Sequence, residues 1–219
     1  MGKLFVIDGL DGSGKGTQSA KLTEYLVAKG VDARRISFPA YGTRGASLVE
    51  GYLAGELGGK PDDTGAYATS TFYGVDRYWS YRTQWGEFYH QPDSIVICDR
   101  YTTANAVHQC SKLPREQWDE YLDWLWDNEY NKLGIPRPDK IVYLEMRPDL
   151  SRRLVEERSV KEGRKIDIHE RDYEYLDRCY EAALYASDYL GWEKITCYEG
   201  DEIRSVEDIF AELLERLEL

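Results

Sequence analysis

The segment Gly9-Leu10-Asp11-Gly12-Ser13-Gly14-Lys15-Gly16-Thr17-Gln18 constrains the fold more than any other part of the chain. It follows a short apolar run, residues 4–8, and precedes a helix-compatible stretch, residues 19–29. Strand, glycine-rich loop and helix in that order make a phosphate cradle. Glycines let successive backbone N–H groups point inward around anionic oxygens, the helix N-terminus adds positive potential, and Lys15 is long enough to reach β- and γ-phosphates. The usual pattern places Ser or Thr directly after the lysine. Here Gly16 stands there and the hydroxyl is displaced to Thr17, which leaves the magnesium ligand open, with Thr17 and Asp99 as the candidates.

Four further runs rich in β-branched and apolar residues, 35–38, 95–99, 141–145 and 195–198, read as buried strands separated by helical patterns. This alternation implies an α/β fold: a five-stranded parallel sheet with helices on both faces and ligands outside the carboxyl ends of the strands. Pro148 suits a first helical turn, and Ser205 with Asp208 forms a capping-box pattern before residues 209–217. Without repeat, low-complexity tract or linker, the 219 residues are expected to form a single domain. No apolar run approaches the roughly 20 residues that cross a bilayer, so no membrane partner is expected. Cys98, Cys110, Cys179 and Cys197 are far apart and read as free thiols, which fits a cytoplasmic protein. The net charge of −12 argues against a polynucleotide partner, since phosphate-binding surfaces carry excess lysine and arginine. Residues 199–219 hold eight acidic and two basic side chains, whereas residues 157–165 hold four basic and two acidic ones. A basic island in an acidic chain suits small polyanionic ligands.

The Gly-Lys-Gly-Thr ending of the loop resembles that of adenylate and uridylate kinases. Three further segments, in order and at suitable spacing over most of the chain, resemble the thymidylate kinase family of P-loop nucleoside monophosphate kinases. The first is Phe38-Pro39-Ala40-Tyr41, similar to a segment whose following residues line the acceptor phosphate pocket. Many relatives carry an arginine two residues after the proline; Tyr41 stands here, so Arg44 is the candidate for that charge. The second lies in the helix-compatible stretch 64–89, where Tyr73 and Arg77 share one helical face. The resemblance implies that Tyr73, with Phe72 able to share the contact, stacks on the base and that Arg77 donates to thymine O4. Such a donor suits thymine or uracil and opposes the amino group of cytosine. The competing reading is an aromatic core residue beside a solvated arginine. The third is Asp99-Arg100-Tyr101 followed by Asn105, His108 and Gln109. Arg100, at the end of a buried strand, is placed to clamp a phosphate with a geometry that lysine cannot reproduce, the alternative being a structural Asp–Arg pair. Asn105, His108 and Gln109 share a helical face suited to the N3 and O2 edge and to the sugar's 2′ position. His108 stands where relatives often have tyrosine, and it reads equally as a packing residue.

The resemblance further implies a helical lid, approximately residues 152–171, that contains Arg153 at the ATP site. Some thymidylate kinases place an arginine right after the loop aspartate, but that residue is Gly12 here, so Arg158 and Arg164 are the candidates for the catalytic charge. A charge-rich helix end is also commonly a solvated face. Asp11 looks like the family's acidic residue that contacts the sugar 3′-hydroxyl or magnesium-bound water. The implied activity is transfer of the γ-phosphoryl of ATP to dTMP with Mg²⁺, by a homodimer, with Gly9, Leu10, Asp11, Gly12, Ser13, Gly14, Lys15, Gly16 and Thr17 around ATP. Two other readings stay open: another acceptor, such as dUMP, UMP or a nucleoside, and a nucleotide-binding regulator without turnover.

Overall fold

The computed structural model describes residues 1–162 and 172–219, with the side chains of residues 157–162 left aside. Five parallel strands form one sheet in the order β2-β3-β1-β4-β5: β1 (Lys3–Asp8), β2 (Ala33–Ser37), β3 (Ile95–Asp99), β4 (Lys140–Glu145) and β5 (Glu193–Thr196). The central strand β1 is almost wholly apolar and buried, as a parallel strand covered on both faces must be.

The expected second strand, 35–38, lies two residues earlier. Ala33 pairs with Ile95 and Ser37 with Asp99, and Phe38 leaves the ladder into a cis peptide with Pro39. The fifth strand likewise stops at Thr196. Cys197 bonds Glu145 O and accepts from Arg204 N, which turns the chain into a small hairpin of β6 (Tyr198–Glu199) and β7 (Glu202–Ile203). The helix after the glycine loop, α1 (Lys15–Ala28), starts four residues earlier than its apolar pattern, inside the loop itself.

One face of the sheet is covered by α1 and α9 (Val206–Leu217), with Leu22, Leu26, Phe210 and Leu213 packed on Phe5, Ile7 and Val142. Each such buried side chain contributes roughly 1.5–3 kcal/mol. Ser205 caps α9 by accepting from Asp208 N at 3.0 Å, and Pro148 is the first residue of α7 (Pro148–Glu162), as the sequence suggested. The other face is covered by α5 (Thr102–His108), α6 (Trp118–Trp126) and α8 (Tyr173–Leu190), where Tyr121, Leu125, Tyr175 and Ala182 pack with Tyr143.

Between β2 and β3 the chain forms α2 (Ser47–Leu53), α3 (Ala66–Ser80) and α4 (Gly86–Tyr89). The stretch read as one long helix is thus interrupted by a wider turn, Tyr81–Trp85. Tyr81 lies against Gly86, where a Cβ would stand 2.5 Å from Tyr81 O, and Trp85 turns inward to pack on Tyr89 and Tyr101. A similar wider turn, Asp127–Leu133, follows α6 and carries Glu129 into the interior. Among the described residues, no helix is long and apolar enough to cross a membrane.

Candidate active site

At the carboxyl end of β1 the chain turns through Gly12 and Gly14, whose φ angles of +82° and +86° are left-handed values that strain any residue bearing a Cβ. Gly9 is excluded from bearing one for a different reason, since a Cβ there would lie 2.7 Å from Leu144 O on β4. Gly14 is the N-cap of α1, so the first N–H groups of that helix are free for an anion. The loop, with Ser37, Phe38, Asp99 and Arg100, lines an open cleft of about 230 Å³. Ser13 Oγ is buried in the loop with no hydrogen-bond partner among the described residues.

The cleft neutralises itself. Asp11 Oδ1 accepts from Arg100 Nη2 at 2.6 Å and from Lys15 Nζ at 3.2 Å, and Lys15 also donates to Leu10 O at 3.2 Å. Burial works against the charge on Asp11, but Arg100 and Lys15 outweigh it and hold the carboxyl well below its usual range. Burial, together with the neighbouring Arg100, lowers Lys15. Asp8 is different. Both its oxygens are occupied, by Gly9 N at 2.7 Å and by the Thr103 hydroxyl, and burial raises its pKa, so it braces the loop against α5. Arg100 has φ +65°, a strained value for a non-glycine residue, and its N–H is held by Ile7 O at 3.1 Å. Its second terminal nitrogen meets His108 Nε2 at 3.1 Å. Since a guanidinium only donates, His108 Nε2 accepts, and the ring proton sits on Nδ1, towards Tyr175 Oη and Cys179 Sγ, each at 3.4 Å.

Next to this cleft lies a buried polar cluster that the sequence reading contained only in part. Arg77 is 1% exposed and its fork closes on Glu129, with Nε to Oε2 at 2.7 Å and Nη2 to Oε1, while Nη1 donates to Tyr101 O at 3.2 Å. Thr102 Oγ1 and Asn105 Nδ2 also donate to Glu129. Glu129 thus gathers Arg77, Thr102 and Asn105 around one carboxylate. Asn105 Nδ2 additionally donates to Ser70 O at 3.2 Å, and Asn105 Oδ1 takes no hydrogen bond among the described residues. Tyr73 is buried beside Val49 and Tyr52, with the partly buried Phe72 packed against them.

The family model for thymidylate kinase matches residues 7–206. The chain belongs to the thymidylate kinase family. It is 31% identical over 186 residues to the thymidylate kinase of Mycobacterium tuberculosis, covering 84% of each chain. To the human thymidylate kinase it is 30% identical over 145 residues, 66% of this chain and 61% of that one. The solved thymidylate kinase of Candida albicans shares the fold, with a TM-score of 0.70 over 99% of this chain and 91% of that one at 19% identity. Membership makes the chain a nucleoside monophosphate kinase.

Other residues expected at a thymidylate kinase site are placed as follows. Phe38 lines the cleft, Pro39 follows it through the cis peptide, and Ala40 N is pinned to the buried Asp76 Oδ2 at 3.0 Å. Arg44 is exposed on the loop before α2 and is not among the residues lining the cleft. Gln109 is fully buried, and neither of its amide atoms has a partner among the described residues. Arg153 is exposed on α7; Arg158 lies on the same helix with its side chain left aside, and Arg164 lies outside the described residues. Ser151, on the same helix, donates to Asp11 O and so ties α7 to the loop. Among the described residues no group of three or more His, Cys, Asp or Glu could hold a metal. Mg²⁺ requires no such group, since it takes one or two carboxylates and completes its shell with phosphate oxygens and water. Asp99 and the Thr17 hydroxyl, both at the cleft, supply hard oxygen donors. Glu129, Arg35, Asp8 and Ser151 were missed. Only Glu129 had a signal, as one of two carboxylates, with Asp127, within the aromatic-rich run 124–130.

Proposed function

We propose that this chain transfers the γ-phosphoryl group of ATP to dTMP, giving ADP and dTDP, in the cytoplasm and as a homodimer. The observation that carries the acceptor assignment is the hydrogen-bonding polarity of Arg77 and Asn105. With its amide nitrogen committed to Ser70 and Glu129, Asn105 offers only its oxygen, an acceptor for the N3–H of thymine or uracil. One hydrogen on each terminal nitrogen of Arg77 is uncommitted and suits O4. Cytosine has the opposite polarity at both atoms and leaves these buried groups unpaired, which is how a hydrogen-bonding site rejects it. Tyr73, with Phe72 beside it, supplies the stacking surface.

The acceptor phosphate is already ionised, so the transfer needs in-line positioning and charge neutralisation rather than a general base. The loop N–H groups hold the donor phosphates, Lys15 leaves Asp11 for the β- and γ-oxygens, and Arg100 clamps the acceptor phosphate. Asp11, released from both cations, is free to accept from the sugar 3′-hydroxyl. Asp99 and Thr17 are the protein groups that would hold Mg²⁺, which when bound would offset the charge of the donor phosphates. Residues 152–171 act as the lid, with Arg158 and Arg164 supplying positive charge to the transferred group. Free, buried cysteines agree with a reducing compartment, and the exposed Leu48, Val75, Tyr78 and Trp79 of α2 and α3 suit a second copy of the chain. A coupled ADP-release assay with dTMP, dUMP, UMP, dCMP and thymidine tests the assignment. The expected order places dTMP first and dCMP last, and dTMP being a poor acceptor refutes it.

A further inference from the structure

Arg35, on β2, has no part in the mechanism above, yet its guanidinium reaches the floor of the phosphate cleft. Nη2 lies 2.6 Å from Asp99 Oδ2 and Nε donates to Ser19 Oγ at 2.7 Å. Ser19 Oγ in turn donates to Gly16 O at 3.1 Å, which closes a chain from β2 through α1 back to the loop. The residue after Lys15 lies against this arrangement. A Cβ on Gly16 would stand 3.4 Å from Asp99 Oδ2 and 3.6 Å from Arg35 Nη2, so a longer side chain there would crowd the ion pair. The glycine that removes a hydroxyl from the loop thus lies directly beside the Asp99–Arg35 pair. That ion pair binds only one carboxylate oxygen, and Asp99 Oδ1 takes no hydrogen bond among the described residues. The other cations acting on this carboxylate are Lys15 and Arg100, both of which belong to the phosphate sites.

We propose that Arg35 is a positioning residue for the magnesium–nucleotide complex: by fixing Asp99 Oδ2 against α1 it presents Oδ1 alone to the metal's water shell. The role follows from the general behaviour of groups that orient a metal-site carboxylate, whose loss typically lowers metal affinity or activity by about 10–100-fold. It rests on the donor-site reading above and is independent of which acceptor is used. A simple staple between β2 and α1 would have no such selectivity for the metal-bound form.

The test is calorimetric titration of ADP into the full chain, with Mg²⁺ and with EDTA, for the parent, Arg35→Met, Arg35→Lys and Asp99→Asn. In EDTA the Arg35→Met protein is expected to bind ADP within about twofold of the parent, while the gain in affinity on adding Mg²⁺ falls about tenfold or more. Arg35→Lys recovers part of that gain at most, because an ammonium cannot bridge Ser19 and Asp99 as the fork does. Adding Arg35→Met to Asp99→Asn changes nothing further, as expected when one residue acts through the other. The kcat for the best acceptor falls in Arg35→Met while its KM holds. An unchanged magnesium gain in Arg35→Met overturns the proposal, as does an equal loss of ADP affinity in EDTA. Arg35 is about one-third exposed on an edge strand, and matching melting temperatures confirm that folding is intact. If dTMP fails as an acceptor but the magnesium gain still falls, the acceptor assignment is wrong and the role of Arg35 stands.

Discussion

Replacing Arg77 by methionine keeps the aliphatic stem and removes three charge-assisted hydrogen bonds, two to Glu129 and one to Tyr101 O. The side chains are 1% and 0% exposed, so no water takes the place of the guanidinium. Glu129 is left as a buried carboxylate held only by Thr102 and Asn105. Breaking a buried pair from one side costs about 3–5 kcal/mol, a large part of the roughly 5–15 kcal/mol that keeps a domain folded. At about 2–4 °C per kcal/mol for a chain of this length, the melting temperature falls by about 6–20 °C. Glu129→Leu is expected to cost a similar amount, because it strands the arginine instead. The double variant Arg77→Met/Glu129→Leu buries no charge and is expected to be more stable than either single, with a coupling energy of about 1–3 kcal/mol or more. Urea unfolding of all four proteins measures this directly. Single substitutions that each cost under about 1 kcal/mol, or a double that is simply their sum, would refute the claim that Glu129 organises the cluster.

Lys15→Ala is expected to lower kcat/KM by about a hundredfold or more while the fold survives, since no other loop residue neutralises the donor phosphates; steady-state kinetics with turnover within a few fold of the parent contradicts this. Arg100→Lys keeps the charge but loses the fork, so calorimetry should show weaker dTMP binding, by about 1.5–3 kcal/mol, with ATP binding nearly unchanged. Lys112, donating to Tyr52, Thr64 O and Thr69, is lowered by burial to about 8, against an ordinary 10.5. Between those two values the unfolded chain binds the proton and the folded one does not, so the contribution of Lys112 to stability rises with pH across that window. Urea midpoints at pH 7 to 10 should therefore rise for the parent relative to Lys112→Met, and parallel curves would show that the lysine is not shifted.

The fold was legible because its strongest signals are local. A buried apolar strand followed by glycines and a lysine admits few structures, and Gly12 and Gly14 take the left-handed angles that only this residue adopts freely. Arg100 could be placed for the same reason, since the end of a buried parallel strand fixes where a side chain emerges. What the sequence withheld were pairings across long distances. Arg77 and Glu129 are 52 residues apart, and the carboxylate reaches the interior only because the helix widens at Asp127–Leu133, a feature with no period to read. The start of β2 two residues earlier was hidden because Arg34 looks unlike a strand residue until it is seen lying over Phe88. Arg44 was picked for its charge alone, and charge does not say which way an exposed loop turns.

Asp11 holds both Arg100 and Lys15 in the protein without nucleotide, and so serves as a built-in substitute for a phosphate. A stray inorganic anion must displace a carboxylate that is already well seated, which raises the threshold for occupying the cleft and favours ligands that bring further contacts of their own. The same arrangement ties the two substrates together. Whichever nucleotide draws its cation away first leaves Asp11 with a single partner and no competing cation, so Asp11 holds the remaining one more firmly and sets the two sites against each other, equally in both directions as linkage requires.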